Sequence, residues 1–204
     1  MQCGVIPHRI VGGSEIIPHS IPWQVGLVSI GESTPFCGGT LLGPRHVISA
    51  AHCTQVYSQF SVLIGEHDLT DGTDGTFHSV ESFTEHPNFS YAPVPTFDFV
   101  MITLAEPVVL RGTAVPACLP TENMDEMFLT GKSLTVSGWG NLQEGGNQAL
   151  ELHKVEVPFV PAEVCNDAYP GLISNAMVCA GNVTDGGIDS CQGDSGGMCS
   201  SMNL

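Results

Sequence analysis

Short apolar segments alternate with Gly, Pro, Asn and Asp along almost the whole chain. Residues 22–30 (PWQVGLVSI), 38–50 (GGTLLGPRHVISA), 60–69 (FSVLIGEHDL), 97–104 (FDFVMITL), 133–140 (SLTVSGWG), 149–160 (ALELHKVEVPFV) and 176–181 (AMVCAG) are rich in β-branched, aliphatic and aromatic side chains and are bounded by turn formers. That combination predicts strands. No stretch keeps a 3.6-residue apolar repeat over several turns. The one predicted helix is VPAEVCNDAY (160–169), with Pro161 suited to a first turn and Glu163 just behind it. Many short strands without alternating helices predict an all-β protein made of sandwiches or barrels. The segment from Arg111 to Gly131, with its turn formers and acidic cluster, reads as a connection between two β units, the first about 10–110 and the second from about 131 onward.

Charge narrows the partners. With 21 acidic and 5 basic residues the formal net charge is −16, a surface that repels phosphate backbones and anionic membranes, so neither nucleic acid nor a membrane is expected as a partner. No apolar run reaches bilayer length, and MQCGVIPHRIVGG lacks the basic and apolar regions of a signal peptide. Eight cysteines suit an oxidising compartment. None of them forms a Cys-x-x-Cys pair, and no His-x-x-x-His spacing occurs, so no zinc site is expected.

The segment GDSGG at 193–197 fits Gly-x-Ser-x-Gly, the pattern of a nucleophile elbow. In an α/β-hydrolase the acid and histidine follow the serine. Here no His, Asp or Glu follows Ser195, so its partners must lie upstream, in the order His, Asp, Ser. His52 in ISAAHC and Asp98 in TFDFVMITL are the candidates. Each alone has an ordinary structural reading, as a core histidine beside a cystine and as a loop-capping aspartate. Together with GDSGG they form a catalytic set, because a carboxylate between two phenylalanines needs a partner to offset its burial.

The chain resembles the trypsin-like (chymotrypsin-fold) serine protease family over about residues 3–197. The matching segments occur in family order: RIVGG (9–13), PWQV (22–25), CGGTLL (37–42), AAHC (50–53), FDFVMITL (97–104), ACLP (117–120), SGWG (137–140), MVCAG (177–181) and DSCQGDSGG (189–197). The resemblance implies two six-stranded Greek-key β-barrels. Met198 stands where the family continues with proline, and the pocket wall, last strands and C-terminal helix of the family are missing after it, so the second barrel is expected to be incomplete.

The resemblance also implies roles. Ser195 would be the nucleophile, His52 the general base and then acid, and Asp98 the orienting carboxylate. The N–H groups of Gly193 and Ser195 would form an oxyanion hole. Asp189 would lie on the floor of a pocket for Arg or Lys. Residues 1–9 would be an activation peptide and 10–204 the peptidase domain. Cleavage between Arg9 and Ile10 by an activating trypsin-like protease would free an amine to pair with Asp194. Disulfides would join Cys37 to Cys53, Cys165 to Cys179 and Cys3 to Cys118, while Cys191 and Cys199 are left over and could bond to each other. In the loop GEHDLTDGTDGT (65–76), Glu66 matches one calcium-binding glutamate of some family members, but a solvated acidic turn is preferred and no cofactor is expected. The expected function is a secreted, zymogen-derived endopeptidase acting on polypeptides after Arg or Lys and held in check by protein protease inhibitors. The alternative is a catalytically inactive truncated isoform or decoy that binds protease partners or inhibitors.

Overall fold

The computed structural model describes residues 2–3, 13–119, 129–142, 145–182 and 193–200. Its strands are β1 (Gln2–Cys3), β2 (Ser14–Glu15), β3 (Gln24–Ser29), β4 (Pro35–Gly43), β5 (His46–Ser49), β6 (Phe60–Ile64), β7 (Thr76–Glu85), β8 (Val100–Leu104), β9 (Ser133–Gly138), β10 (His153–Val160), β11 (Met177–Ala180) and β12 (Cys199–Ser200). Short helices among the described residues include α1 (Ala51–Thr54) and α2 (Ala162–Ala168). The all-β architecture is the expected one.

The first unit is a closed barrel in the order β3-β4-β5-β8-β7-β6. Closure pairs both edges of every strand and leaves none open for association. Inward positions follow the two-residue period of a strand: in β8, Val100, Ile102 and Leu104 are fully buried while Met101 faces outward. Val25, Leu27, Leu41, Val47, Val62 and Ile64 complete the same core. Strand β7 was not apparent in the sequence because it is half-exposed along its length and carries mostly polar side chains. Its order comes from backbone pairing to β6 and β8. The predicted segment 38–50 is two strands, β4 and β5, hinged at Pro44 and Arg45.

The second unit is a sheet in the order β1-β11-β10-β9-β12, with β2 also paired to β10. Its core is Leu134, Val136, Val155, Val157 and Ala180. It does not close among the described residues, in line with the incomplete second barrel expected from the sequence. Ser14–Glu15 lies in the stretch read as the first unit, yet it pairs with His153 and Lys154 of β10.

Two buried side-chain hydrogen bonds among the described residues lock the units together. Ser137 Oγ donates to Gln24 Oε1 at 2.8 Å, and Trp139 Nε1 donates to the His67 carbonyl at 3.0 Å. Trp139 is itself buried against Ile16, Ile21 and Leu152, so the interface combines apolar packing with satisfied polar groups. Because burial in β8 alternates, Ile102→Ala should lower unfolding free energy by about 2–5 kcal/mol. The neighbouring Met101→Ala should stay within about 0.5 kcal/mol. Denaturant midpoints of the two variants measure the difference.

Candidate active site

His52 lies on α1, the single turn that follows β5. Its histidine is held by one residue from a distant loop. Asp98 Oδ1 accepts the His52 backbone N–H at 2.8 Å, and Asp98 Oδ2 accepts from His52 Nδ1 at 2.6 Å. The Asp98 side chain is fully buried and the His52 side chain about one quarter exposed. An ionised carboxylate can only accept, so the proton sits on Nδ1 and the Nε2 lone pair is left available in the neutral ring. Burial without these bonds would be costly for Asp98.

Ser195 is brought to the same place by its backbone. Its carbonyl accepts the Gly38 N–H of β4 at 2.8 Å and lies 3.7 Å from the sulfur of Cys53, the residue after His52. The serine turn is closed by Gly197 N–H donating to the Asp194 carbonyl at 2.8 Å. It lies flat on the first barrel: a Cβ at Gly196 would meet the Gly38 carbonyl at 2.7 Å and the Ala50 nitrogen at 2.8 Å, and φ there is +79°. Only glycine fits both the space and the conformation. Ser49 Oγ donates to that Gly38 carbonyl at 2.7 Å, tying β5 into the contact. Gly193 also has a left-handed φ, +96°, an orientation open to glycine where the serine loop begins.

Asp194 points away from solvent into the second unit and is 4 % exposed. Its Oδ1 accepts the Gly140 N–H at 2.8 Å. A Cβ on Gly138 or Gly140 would overlap the carboxylate, which explains the glycines that bracket Trp139 in SGWG.

Comparison with known proteins bears directly on this arrangement. The family model described as Trypsin matches residues 10–203. Trypsin-2 of Salmo salar is 40 % identical over 191 residues, covering 93 % of this chain and 78 % of its own length. Trypsin of Squalus acanthias is 38 % identical over 197 residues, covering 95 % and 81 %. Among solved structures, neuropsin, a serine protease expressed in the limbic system of mouse brain, superposes with a TM-score of 0.82 at 33 % identity, covering 93 % of this chain and 81 % of that one. The chain belongs to the trypsin family of serine endopeptidases.

Two of the trypsin-family disulfides are formed, Cys37–Cys53 with Cα atoms 6.3 Å apart and Cys165–Cys179 with Cα atoms 6.4 Å apart. The first ties β4 to α1 and so to His52; a bridge of this kind is worth about 2–4 kcal/mol. The expected Cys3–Cys118 tether is not formed. Cys118 is a free, exposed thiol, whereas Gln2–Cys3 pairs in parallel with Met177–Val178, satisfying backbone groups at the edge of β11. Cys199 is disulfide-bonded. Arg9, Ile10, Asp189, Cys191 and the Cys3 side chain lie outside the described residues.

In the acidic loop 65–76, Glu66 is engaged by the backbone of its own loop. Glu66 is buried, and its two oxygens accept backbone N–H groups from His67 at 3.0 Å and Gly75 at 3.3 Å. Thr70, through its side chain and backbone N–H, holds the Asp68 carboxyl below the usual carboxylate range. Among the described residues the one group of three candidate ligands is Cys37, His52 and Cys53, whose sulfurs are bonded to each other.

Sequence reading did not assign roles to Gly38, Ser49 and Gly140. They seat the serine turn and Asp194, and the quoted segments CGGTLL, ISAAHC and SGWG contain them. Gly196→Ala tests the contact: it should abolish labelling of Ser195 by a serine-directed phosphonate while the first barrel stays folded by circular dichroism.

Proposed function

We propose that this chain is a trypsin-like endopeptidase that cleaves after Arg or Lys through an acyl-enzyme and is made as a zymogen activated between Arg9 and Ile10. The observation that carries the reading is the His52–Asp98 pair, both carboxylate oxygens on one histidine, with Ser195 anchored against the next residue in the chain.

In this mechanism Ser195 Oγ attacks the scissile carbonyl carbon and His52 Nε2 takes the hydroxyl proton. Asp98 keeps the ring in the required tautomer and stabilises the imidazolium that forms. The N–H groups of Gly193 and Ser195 receive the negative charge that develops on the carbonyl oxygen; one such donor is typically worth about 10²–10³ in rate. His52 then returns its proton to the departing amine. Water, activated by the same histidine, attacks the acyl ester and releases the second product.

Asp189 supplies the charge that selects a cationic side chain, paired through charge-assisted hydrogen bonds. The amine freed at Ile10 pairs with Asp194, an ordering step that couples cleavage to assembly of the serine loop. Disulfides and the family relationship support action outside the cell, on polypeptide substrates and under the control of an activating protease and protein inhibitors. No helix among the described residues is long and apolar enough to cross a membrane.

The test uses the full chain cut after Arg9. It should become labelled at Ser195 by a serine-directed phosphonate and hydrolyse an arginyl amide in preference to an aromatic one. Asp98→Asn should lower kcat by about 10⁴ through the wrong histidine tautomer. A cleaved chain that is neither labelled nor active, yet binds a protease inhibitor, would establish the decoy reading instead. Preference for the aromatic amide would overturn the role given to Asp189.

A further inference from the structure

Asp98 occupies an unusual piece of backbone. It is the middle residue of a three-residue turn in which Phe99 N–H donates to the Phe97 carbonyl at 2.9 Å. Phe97, immediately before it, has φ of +49°. That left-handed region is an outlier for a bulky side chain, so something outside the turn must hold it. The His86 ring stacks on Phe97 with centroids 4.9 Å apart and planes 9° from parallel, and it also meets Phe99 at 4.6 Å and 52°. The rings on both sides of Asp98 therefore rest on one histidine.

His86 is itself fixed from several directions. Its backbone N–H donates to the Phe99 carbonyl at 3.0 Å, its carbonyl accepts from Phe89 N–H at 2.8 Å, and its ring Nδ1 accepts from Asn88 N–H at 3.2 Å. The last bond sets both the tautomer and the plane of the ring. It follows β7, the strand that ends at Glu85 and pairs with β8, so the stack is built on the closed barrel rather than on the loop it supports.

We infer that His86 is a positioning residue for the reaction: its stack on Phe97 and Phe99 holds Phe97 in the left-handed conformation that aims both Asp98 oxygens at His52. Without the stack, Phe97 returns to negative φ, the peptide before Asp98 turns, and the carboxylate loses the geometry of its two bonds. The effect falls on the chemical step rather than on substrate binding, because the stack acts through Asp98 on His52.

The inference rests on the reading of Ser195, His52 and Asp98 as the catalytic set, so its test has a readout separate from turnover. In the cleaved full chain, His86→Ala should lower kcat per titrated active site about tenfold, with KM unchanged within about twofold; small misplacements of catalytic groups have effects of this order or larger. His86→Phe, which keeps an aromatic face, should stay closer to the parent than to the alanine variant. In a Phe97→Asn background, where asparagine tolerates left-handed φ, adding His86→Ala should cost less than about twofold more. The low-field proton resonance of His52 Nδ1–H should move or broaden in His86→Ala and persist in His86→Phe.

An inactive parent would defeat the catalytic reading, and the resonance would still decide the role of His86. Equal loss in the alanine and phenylalanine variants, an alanine penalty undiminished by Phe97→Asn, or a His52 resonance indifferent to His86→Ala would each overturn the inference.

Discussion

A buried carboxylate must be compensated where it stands, and this structure is arranged around compensating Asp98. Water cannot reach its side chain, and the His52 backbone N–H and ring each donate to one of its oxygens. Those two donors fix the position of α1, the orientation of the imidazole and the site of its proton at once. Polar groups desolvated in this way are worth little as general stability but much as geometric constraints. The Cys37–Cys53 bridge and the aromatic stack at His86 act on the two ends of the same bond, one behind the histidine and the other behind the aspartate.

The second constraint is steric. The serine turn can lie against the first barrel because Gly38 and Gly196 remove the side chains that would hold it away. Asp194 can enter the second unit because Gly138 and Gly140 do the same around its carboxylate. The site is therefore assembled at a seam where backbone meets backbone, and the polar cross-links from Ser137 to Gln24 and from Trp139 to His67 keep the seam from sliding. Close packing of this kind transmits small displacements.

Much of this was legible in one dimension. Strands β3, β6, β8, β9 and β10 were marked by dense β-branched and aliphatic residues, and α2 by its proline and glutamate. The trio His52, Asp98 and Ser195 followed from chain order and from the oddity of an aspartate between phenylalanines. Strand β7 was hidden because it owes its order to backbone pairing on both sides, and its side chains report only a half-exposed surface. The short strands β1, β2 and β12 were hidden for a related reason: two residues carry no measurable period. The Cys3–Cys118 pairing was misjudged because the edge of β11 offers the N-terminal strand backbone hydrogen bonds, which a count of cysteines cannot weigh.

The amino-acid sequence by itself determined the β class and the family and nominated the groups proposed for the site, because these depend on local composition, spacing and the ordered series of family segments. Tertiary structure decided which groups act on one another. That Asp98 spends both oxygens on His52, that the serine turn leans on Gly38, and that His86 supports a strained phenylalanine are all contacts between residues distant or oppositely placed in the chain. They arise from barrel closure and from the seam between the two units, which no window of sequence contains.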